Sequence, residues 1–172
     1  LKNNKGSEDN RVRKLDYSIQ LSKLFYERFI NDEEISLFSP HEVPELYEAW
    51  GTPEFDELYE RTERKTSVKK TKVKAQDLIF DILKERAETG RIYIMNIDHC
   101  NTHSSFKDRV YMSNLCQEIT LPTDPIQHID QEGEIALCIL SAINVGLINK
   151  RDELEPLCDL AVRALDEIID HQ

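Results

Sequence analysis

The sequence predicts an α/β fold, and three observations point to it. A helical stripe over residues 73–90 is followed at once by an alternating apolar run over residues 91–98, which is the helix-to-strand step typical of this fold class. A second run, residues 133–140, is apolar on both faces, as strands are that lie between two layers. A strongly amphipathic helix is expected over residues 152–172. We therefore expect strands that are covered by helices.

Apolar spacing and helix breakers place the remaining elements. Over residues 15–30 the apolar side chains recur at close to helical spacing, whereas residues 35–40 alternate and stop at Pro40, which predicts a helix and then a short strand. Gly51 is expected to break one helix and Gly90 to end a longer one, since glycine accepts the left-handed cap. In chain order we expect a helix (15–30), a strand (35–40), three helices (43–50, 54–64 and 73–90), a strand (91–98), a polar loop (99–109), two strands (113–119 and 133–140) and a helix (152–172).

Length and charge limit the class of protein. The chain has 172 residues, a net charge of -11 and a pI near 4.9, so its summed field repels phosphates, which argues against a general binder of nucleic acid or anionic membranes. The longest apolar run, residues 135–140, is too short to span a membrane, and the N-terminus lacks the apolar core of a signal peptide. We therefore expect a cytoplasmic protein that forms a single partial domain over residues 1–172.

Both ends of the sequence resemble the interior of a longer polypeptide. The first residue is Leu1, and no glycine, proline or turn signal follows the expected last helix. We expect an excerpt or one half of a split protein, which can hold part of a functional site and lack the rest.

The most specific chemical pattern lies in residues 113–119, SNLCQEI. If this segment is extended, Asn114, Cys116 and Glu118 project from one face, because successive side chains of a strand point to opposite sides. An amide that binds, a thiol that attacks and a carboxylate that moves a proton suit chemistry on a polar substrate such as a sugar. A cysteine is about as often a small core residue. A core cysteine, however, needs no polar partners on its own face, so we favour a reactive site.

The other three cysteines give weaker signals. From spacing alone, Cys138 in the expected buried strand is better explained as core packing, and Cys100 and Cys158 lack partners nearby in the sequence, so we treat them as structural. No Cys-x-x-Cys pair is present, unlike a secreted disulfide framework or a zinc knuckle. We expect thiols that stay reduced in the cytosol.

Two further polar clusters admit both a functional and a structural interpretation. Asp98, His99, Cys100 and His103 include ligand types that zinc accepts, but no second pair follows at a typical spacing, so we favour a polar loop and expect no metal. Residues 61–74 carry seven basic side chains, but acidic residues interleave, which favours a solvated helix face over a nucleic-acid site. The sequence contains no glycine-rich phosphate loop of the usual spacings.

Residues 113–119 (SNLCQEI), followed by residues 133–138 (GEIALC), resemble the active-site region of the large subunit of class I ribonucleotide reductases. Several independent motifs in the same order make a chance similarity implausible. The further motifs that resemble this family cover nearly the whole chain: LKNN at 1–4, NRVR at 10–13, LFSPHEVP at 37–44, TGRIY at 89–93 and DHCNTH at 98–103.

The resemblance implies a role for each residue of the pattern. Cys116 corresponds to the cysteine that becomes a thiyl radical and abstracts the 3′ hydrogen of a ribonucleotide. Glu118 corresponds to the base that takes the 3′-hydroxyl proton, and Asn114 to the residue that hydrogen-bonds the sugar hydroxyls. Cys138 corresponds to one of two thiols that reduce the 2′ position and end as a disulfide, which reverses the preference for core packing.

The family fold is a ten-stranded α/β barrel in which the radical cysteine lies on a loop inside the barrel, so residues 113–119 are then expected to form a loop tip. The resemblance implies no cofactor bound in this chain, a radical cofactor of dimetal or tyrosyl type on a partner subunit, and ATP or deoxynucleotide effectors on the full-length subunit. The implied partners are a ribonucleoside diphosphate, the rest of the large subunit, a radical-generating small subunit, a thioredoxin- or glutaredoxin-type reductant and a second large subunit, without nucleic acid or membrane.

Several parts of the family pattern are missing from this sequence. In the family the second redox cysteine and the effector loop lie upstream, and the paired relay tyrosines, the phosphate-binding loop and the tail cysteines lie downstream. We therefore expect no turnover by the chain alone. The alternatives are a non-catalytic remnant or assembly subunit of the same family, or a small zinc module built on His99, Cys100 and His103 with Cys116 or Cys138.

Overall fold

The computed structural model describes Ser7, Asp9, residues 11–12 and residues 15–171. The motif at residues 1–4 lies outside the described residues, as do Asn10, Arg13 and Gln172. The chain divides into two compact units, Leu1–Pro122 and Thr123–Gln172.

Among the described residues, the first unit contains four strands and five α-helices, and the second contains one α-helix and two short 3-10 helices. The strands are β1 (Tyr17–Leu21), β2 (Glu34–Phe38), β3 (Lys70–Lys74) and β4 (Ile92–Asn96). The helices are α1 (Lys23–Ile30), α2 (Pro44–Glu48), α3 (Phe55–Arg64), α4 (Ala75–Thr89), α5 (Ile97–Thr102) and α6 (Leu154–Asp170).

A parallel pair of strands, β1 and β4, forms the centre of the first unit. Their register places Ser18 opposite Tyr93 and Ile19 opposite Ile94. Parallel neighbours need a long crossover, and here it contains α1 to α4 and the other two strands. Helices α1 and α4 contact each other, and α4 also contacts β4. The buried side chains that join them are Leu21, Phe25, Ala75, Ile79, Ile82 and Ile92.

The start of α1 is fixed by two acceptors. The Ser22 hydroxyl accepts a hydrogen bond from the backbone N–H of Phe25 at 3.3 Å, and the Asp98 carboxylate accepts one from the N–H of Lys23. Both satisfy N–H groups that the first turn of a helix leaves without partners. Since Asp98 lies in α5, this cap also joins α1, the first helix of the unit, to α5, its last helix.

Strands β2 and β3 form a separate antiparallel pair. Ile35 lies opposite Val73 and Glu34 opposite Lys74, and Lys72 Nζ lies 3.3 Å from Glu34 Oε2. The three lysines of β3 alternate with Thr71, which is exposed, and Val73, which is half-buried, and successive side chains of a strand point to opposite faces.

A polar network lies between α1, α3 and β2. Arg28 donates to both carboxylate oxygens of Glu63, at 2.9 and 2.7 Å, and the Ser36 hydroxyl donates to Glu63 at 2.6 Å. The Tyr59 hydroxyl accepts from the Ser36 N–H and donates to the Ser36 carbonyl, both at 2.7 Å. Burial raises the pKa of Tyr59 to about 12. The network connects β2 to the second apolar cluster of the unit: Leu24, Val43, Leu46, Phe55 and Tyr59.

The chain that leads towards residues 113–119 is anchored by Asn101. Its side chain accepts from the Val110 N–H at 2.9 Å and donates to the Val110 carbonyl at 3.0 Å. Val110 is fully buried with Ile97 and Met95. A rigid attachment point therefore lies a few residues before the candidate site.

Several sequence predictions for the first unit are confirmed. The predicted strand over 35–40 is β2, the predicted helix over 54–64 is α3, and the predicted strand over 91–98 contains β4. Gly90 ends α4 in the left-handed conformation, with φ at 67°.

Three predictions for this unit are wrong in part. Residues 15–30 are a strand and then a helix, because the chain breaks at Ser22, where the side chain caps α1. The helix predicted over 73–90 begins only at Ala75, since the preceding residues pair with β2. The polar loop predicted over 99–109 begins inside α5, so Cys100 is helical.

The second unit contains α6 and a long irregular segment. The helix predicted over 152–172 is confirmed, and its bounds in the structure are Leu154–Asp170. The buried strand predicted over 133–140 is wrong, because this segment has no regular structure and is mostly exposed. No strand lies among the described residues of this unit, so the segment has no strand there to pair with. Among all described residues, no helix has the length and apolar character needed to cross a membrane.

Candidate active site

Residues 114–117 form a tight turn, and the strand predicted for residues 113–119 is wrong. The N–H of Gln117 donates to the carbonyl of Asn114 at 3.2 Å, and Gln117 has a φ of 71°. A left-handed residue reverses the chain and breaks the alternation of side chains that an extended segment requires. We call residues 113–119 the cysteine turn.

The Asn114 side chain holds the cysteine turn closed. Its amide oxygen accepts a hydrogen bond from the N–H of Ile119 at 3.0 Å, as asparagine commonly does in turns. The Ser113 hydroxyl donates to the Asn114 carbonyl at 2.8 Å and lies 3.7 Å from the sulfur of Met95. The amide oxygen therefore has a structural task, which the one-face pattern did not anticipate.

The Cys116 thiol is exposed and contacts the parallel strand pair. Its sulfur donates to the hydroxyl of Tyr93 on β4 over 3.8 Å. The pKa of Tyr93 is raised, first by its hydrogen bond with Cys116, then by the charge of that sulfur, with smaller contributions that include the charges of Asp16 and Glu118. Both Cys116 and Glu118 thus act on the pKa of the tyrosine hydroxyl, and Cys116 does so more strongly.

A second contact joins the cysteine turn to β1. The amide of Gln117 donates to the hydroxyl of Ser18 at 2.6 Å. Sequence reasoning missed both Ser18 and Tyr93, since each lies in a strand remote from the cysteine turn in the chain. The signal that identifies them is the register of β1 and β4, which only the paired structure supplies.

An open cavity of about 500 Å³, lined by both polar and apolar side chains, lies next to the cysteine turn. Gln117 and Thr120 of the turn region line it, together with His99 and His103 of the α5 region. Its volume is within the range of small-molecule sites, about 300–1,000 Å³. The remaining lining residues are Ile94, Met95, Asn96, Cys100, Ser104, Ser105 and Phe106.

The side chains of the zinc alternative do not assemble a site among the described residues. His99 and His103 lie with ring centroids 5.6 Å apart in an edge-to-face contact. No three His, Cys, Asp or Glu side chains within the described range are grouped as ligands of a metal ion. Burial raises the pKa of the Cys100 thiol, which disfavours the thiolate that zinc binds.

Cys138 belongs to the second unit. Its thiol is exposed, within the irregular segment that replaces the predicted buried strand. The nearby N–H of Glu134 donates to the carbonyl of Asp124 at 3.0 Å, which closes the loop before it. Core packing of Cys138 is therefore excluded within this chain.

The helix-strand order and the exposed thiol beside a parallel strand pair define an α/β protein with a candidate thiol-based site. A family model described as the ribonucleotide reductase barrel domain matches residues 1–172. The chain belongs to this family.

Several curated relatives carry the name ribonucleoside-diphosphate reductase subunit alpha. The protein of Haemophilus influenzae is 56% identical over 178 aligned residues, which cover 100% of this chain and 24% of that protein. The protein of Buchnera aphidicola from Schizaphis graminum is 51% identical, with 100% and 23% covered. The Escherichia coli K12 protein, ribonucleoside-diphosphate reductase 1 subunit alpha, is 54% identical over 131 residues, which cover 73% of this chain and 17% of that protein. The chain thus spans about a quarter of the length of the first two relatives.

Proposed function

We propose that this chain is the central active-site segment of the catalytic subunit of a ribonucleoside-diphosphate reductase, which converts ribonucleotides to deoxyribonucleotides. The observation that carries the proposal is the exposed Cys116 thiol on a tight turn, two residues before Glu118 and in contact with the Tyr93 hydroxyl over 3.8 Å. The family match over the full chain and the names of the relatives support the same reaction class.

Three residues of the cysteine turn each have one task in this proposal. Cys116, as a thiyl radical, takes the 3′ hydrogen atom, so that an S–H bond forms as the C3′–H bond breaks. Glu118 accepts the proton of the 3′ hydroxyl. Asn114 binds the sugar hydroxyls through its amide nitrogen, because its oxygen already closes the turn.

Cys138 and a second thiol supply the reducing electrons. The 2′ hydroxyl leaves as water, the 2′ carbon gains hydrogen, and the two sulfurs join as a disulfide. Cys116 returns the hydrogen atom to the 3′ carbon at the end. One substrate and two thiols therefore give one deoxy product, one disulfide and one water, and a thioredoxin- or glutaredoxin-type reductant restores the thiols.

The rest of the assembly belongs to the proposal as well. A dimetal or tyrosyl radical cofactor on a small subunit would supply the oxidising equivalent. The full-length subunit would form a homodimer in the cytoplasm that responds to ATP and deoxynucleotide effectors. We further propose that β1 and β4 are neighbouring strands of a ten-stranded barrel and that the cysteine turn lies inside it, where water is excluded from the radical. The parallel pairing of these strands supports this arrangement.

The decisive variant is Cys116→Ser in the full-length gene product that contains this chain, assayed with the small subunit. We expect deoxynucleotide formation from the four ribonucleoside diphosphates to fall at least about thousandfold, because an alcohol oxygen does not replace a thiyl radical at the reacting atom. Cys158→Ser in α6 is the matched control and should keep the parent rate. A Cys116→Ser enzyme with more than a tenth of the parent rate would favour the non-catalytic alternative.

A further inference from the structure

Two neighbouring side chains of the cysteine turn contact two neighbouring strands. The Cys116 sulfur donates to the Tyr93 hydroxyl on β4 over 3.8 Å, and the Gln117 amide donates to the Ser18 hydroxyl on β1 at 2.6 Å. Ser18 and Tyr93 are themselves partners in the parallel register. Register partners lie on the same face of a sheet, so both contacts reach one spot on one face.

The backbone of the turn makes this double contact possible. Gln117 has a φ of 71°, in a region that side-chain-bearing residues seldom occupy. In an extended segment consecutive side chains point to opposite sides, so only one of Cys116 and Gln117 would reach the sheet. The left-handed residue directs both side chains to the strand pair. Such a conformation persists where surrounding contacts hold it, and the hydrogen bond to Ser18 is one of them.

We propose that Ser18 and Tyr93 are positioning residues that hold the Cys116 sulfur by two points, one on each strand. Tyr93 contacts the sulfur directly, and Ser18 acts through Gln117 by holding the left-handed residue next to the cysteine. Neither hydroxyl enters the net reaction. We call this arrangement the two-strand clamp.

The chemistry of the two groups suits a clamp. In the neutral pair the thiol donates to the tyrosine oxygen, and once a thiolate forms, the tyrosine O–H donates to the sulfur. The hydroxyl therefore contacts the sulfur in either protonation state. Hydrogen-atom transfer needs the reacting atoms about 3–3.5 Å apart, and a displacement of about 1 Å costs on the order of a hundredfold in rate.

The first arm of the test measures the thiol itself and does not depend on the proposed function. Alkylation of Cys116 by iodoacetamide at pH 8 is followed by peptide mass spectrometry in the full-length gene product. In Tyr93→Phe we expect the rate of Cys116 alkylation to fall about threefold, because the reacting sulfur loses the hydroxyl that holds it by a hydrogen bond. Tyr111→Phe, at an exposed tyrosine whose ring faces Arg109, should leave the rate unchanged, and Cys158 is the internal reference.

The second arm is kinetic and rests on the proposed function. In Ser18→Ala we expect kcat to fall about tenfold with KM within twofold, because the sulfur is misplaced while substrate binding persists. Ser18→Thr keeps a hydroxyl and should recover most of kcat. Thermal unfolding of each variant identifies any that do not fold.

The outcomes separate the two proposals. The clamp is overturned if Tyr93→Phe leaves the rate of Cys116 alkylation unchanged, or if Ser18→Ala keeps the parent kcat while Cys116→Ser is inactive. If Cys116→Ser retains activity, the proposed function fails, and the alkylation arm still decides whether Tyr93 contacts the sulfur.

Discussion

At the scale of single residues, the Glu63 carboxylate stabilises the first unit through its ion pair and hydrogen bonds. It receives two hydrogen bonds from Arg28 and one from Ser36, and the Arg28 hydrogen bonds first, then that of Ser36, hold its pKa below the ordinary value of 4.5. The Arg28 and Glu63 side chains are only 9% and 19% exposed. Removal of one member of such a pair leaves the other charge buried without compensation.

We expect Glu63→Gln to lower the free energy of unfolding by about 3 kcal/mol at pH 7. A carboxylate with a lowered pKa stabilises the fold above the ordinary value of 4.5, and this contribution is lost as the pH falls through the folded-state value. The difference between variant and parent should therefore shrink below pH 4. Urea unfolding followed by the fluorescence of Trp50, the single tryptophan, measures it.

The matched control for this prediction lies on the same helix. Glu60 pairs with Arg64 one turn along α3, and both side chains are substantially exposed. Glu60→Gln should change the free energy of unfolding by less than about 0.5 kcal/mol. Equal effects of the two substitutions would contradict a special role for the Arg28 pair.

At the scale of elements, two glycines next to helices adopt the same left-handed backbone conformation in different surroundings. Gly90 ends α4 with φ at 67°, and nothing lies within 4 Å of the position of an added Cβ. Gly51 has φ at 76°, but there an added Cβ would lie 2.7 Å from a side-chain carbon of Ile97. The first position needs glycine for conformation alone, and the second needs it for space as well.

We expect Gly90→Ala to cost about 1 kcal/mol of unfolding free energy, the penalty of a left-handed residue that bears a side chain. Gly51→Ala should cost at least twice as much, because Ile97 is fully buried and must also shift. Urea unfolding with Trp50 as the reporter compares them directly. A larger loss for Gly90→Ala than for Gly51→Ala would contradict this account.

The sequence pattern predicted those elements whose structure depends on residues nearby in the chain. The Gly90 cap and strand β2 follow from neighbouring residues alone. Strand β3 was missed because Lys70–Lys74 becomes a strand through pairing with β2, more than thirty residues away. The strand predicted over 133–140 was wrong for the converse reason, since an apolar run does not specify a pairing partner.

The candidate site, too, was predicted in part from the sequence. Residues 113–119 were found from side-chain types, and the family assignment is confirmed by the comparisons. Their turn geometry was not predicted, because the left-handed residue is Gln117. Glycine is the residue type that usually signals such a conformation in a sequence. The roles of Asn114, Cys116, Glu118 and Cys138 stay predictions.

At the scale of the whole chain, the division into two units after Pro122 leads to a further prediction. Glu132 and Glu134 lie in an exposed, irregular segment, whereas Glu85 is buried within α4. Proteases cut first where the backbone is exposed and lies outside helices and strands. Brief digestion with a glutamate-specific protease should therefore cleave the chain after Glu132 or Glu134 first, as read by intact mass. First cleavage within α3 or α4 would contradict the two-unit division.

The pairing of β1 with β4 also has a consequence for the order of folding. Tyr17 pairs with Ile92, so the chain must close a loop of about 75 residues before these strands meet, and non-local closure of this kind is slow. Helices and the antiparallel β2–β3 pair can form while the loop is still open. Ser18 and Tyr93 become neighbours only when it closes. We therefore expect the hydrogen bond between Gln117 and Ser18 to form late in folding, after most of the unit around it has already formed.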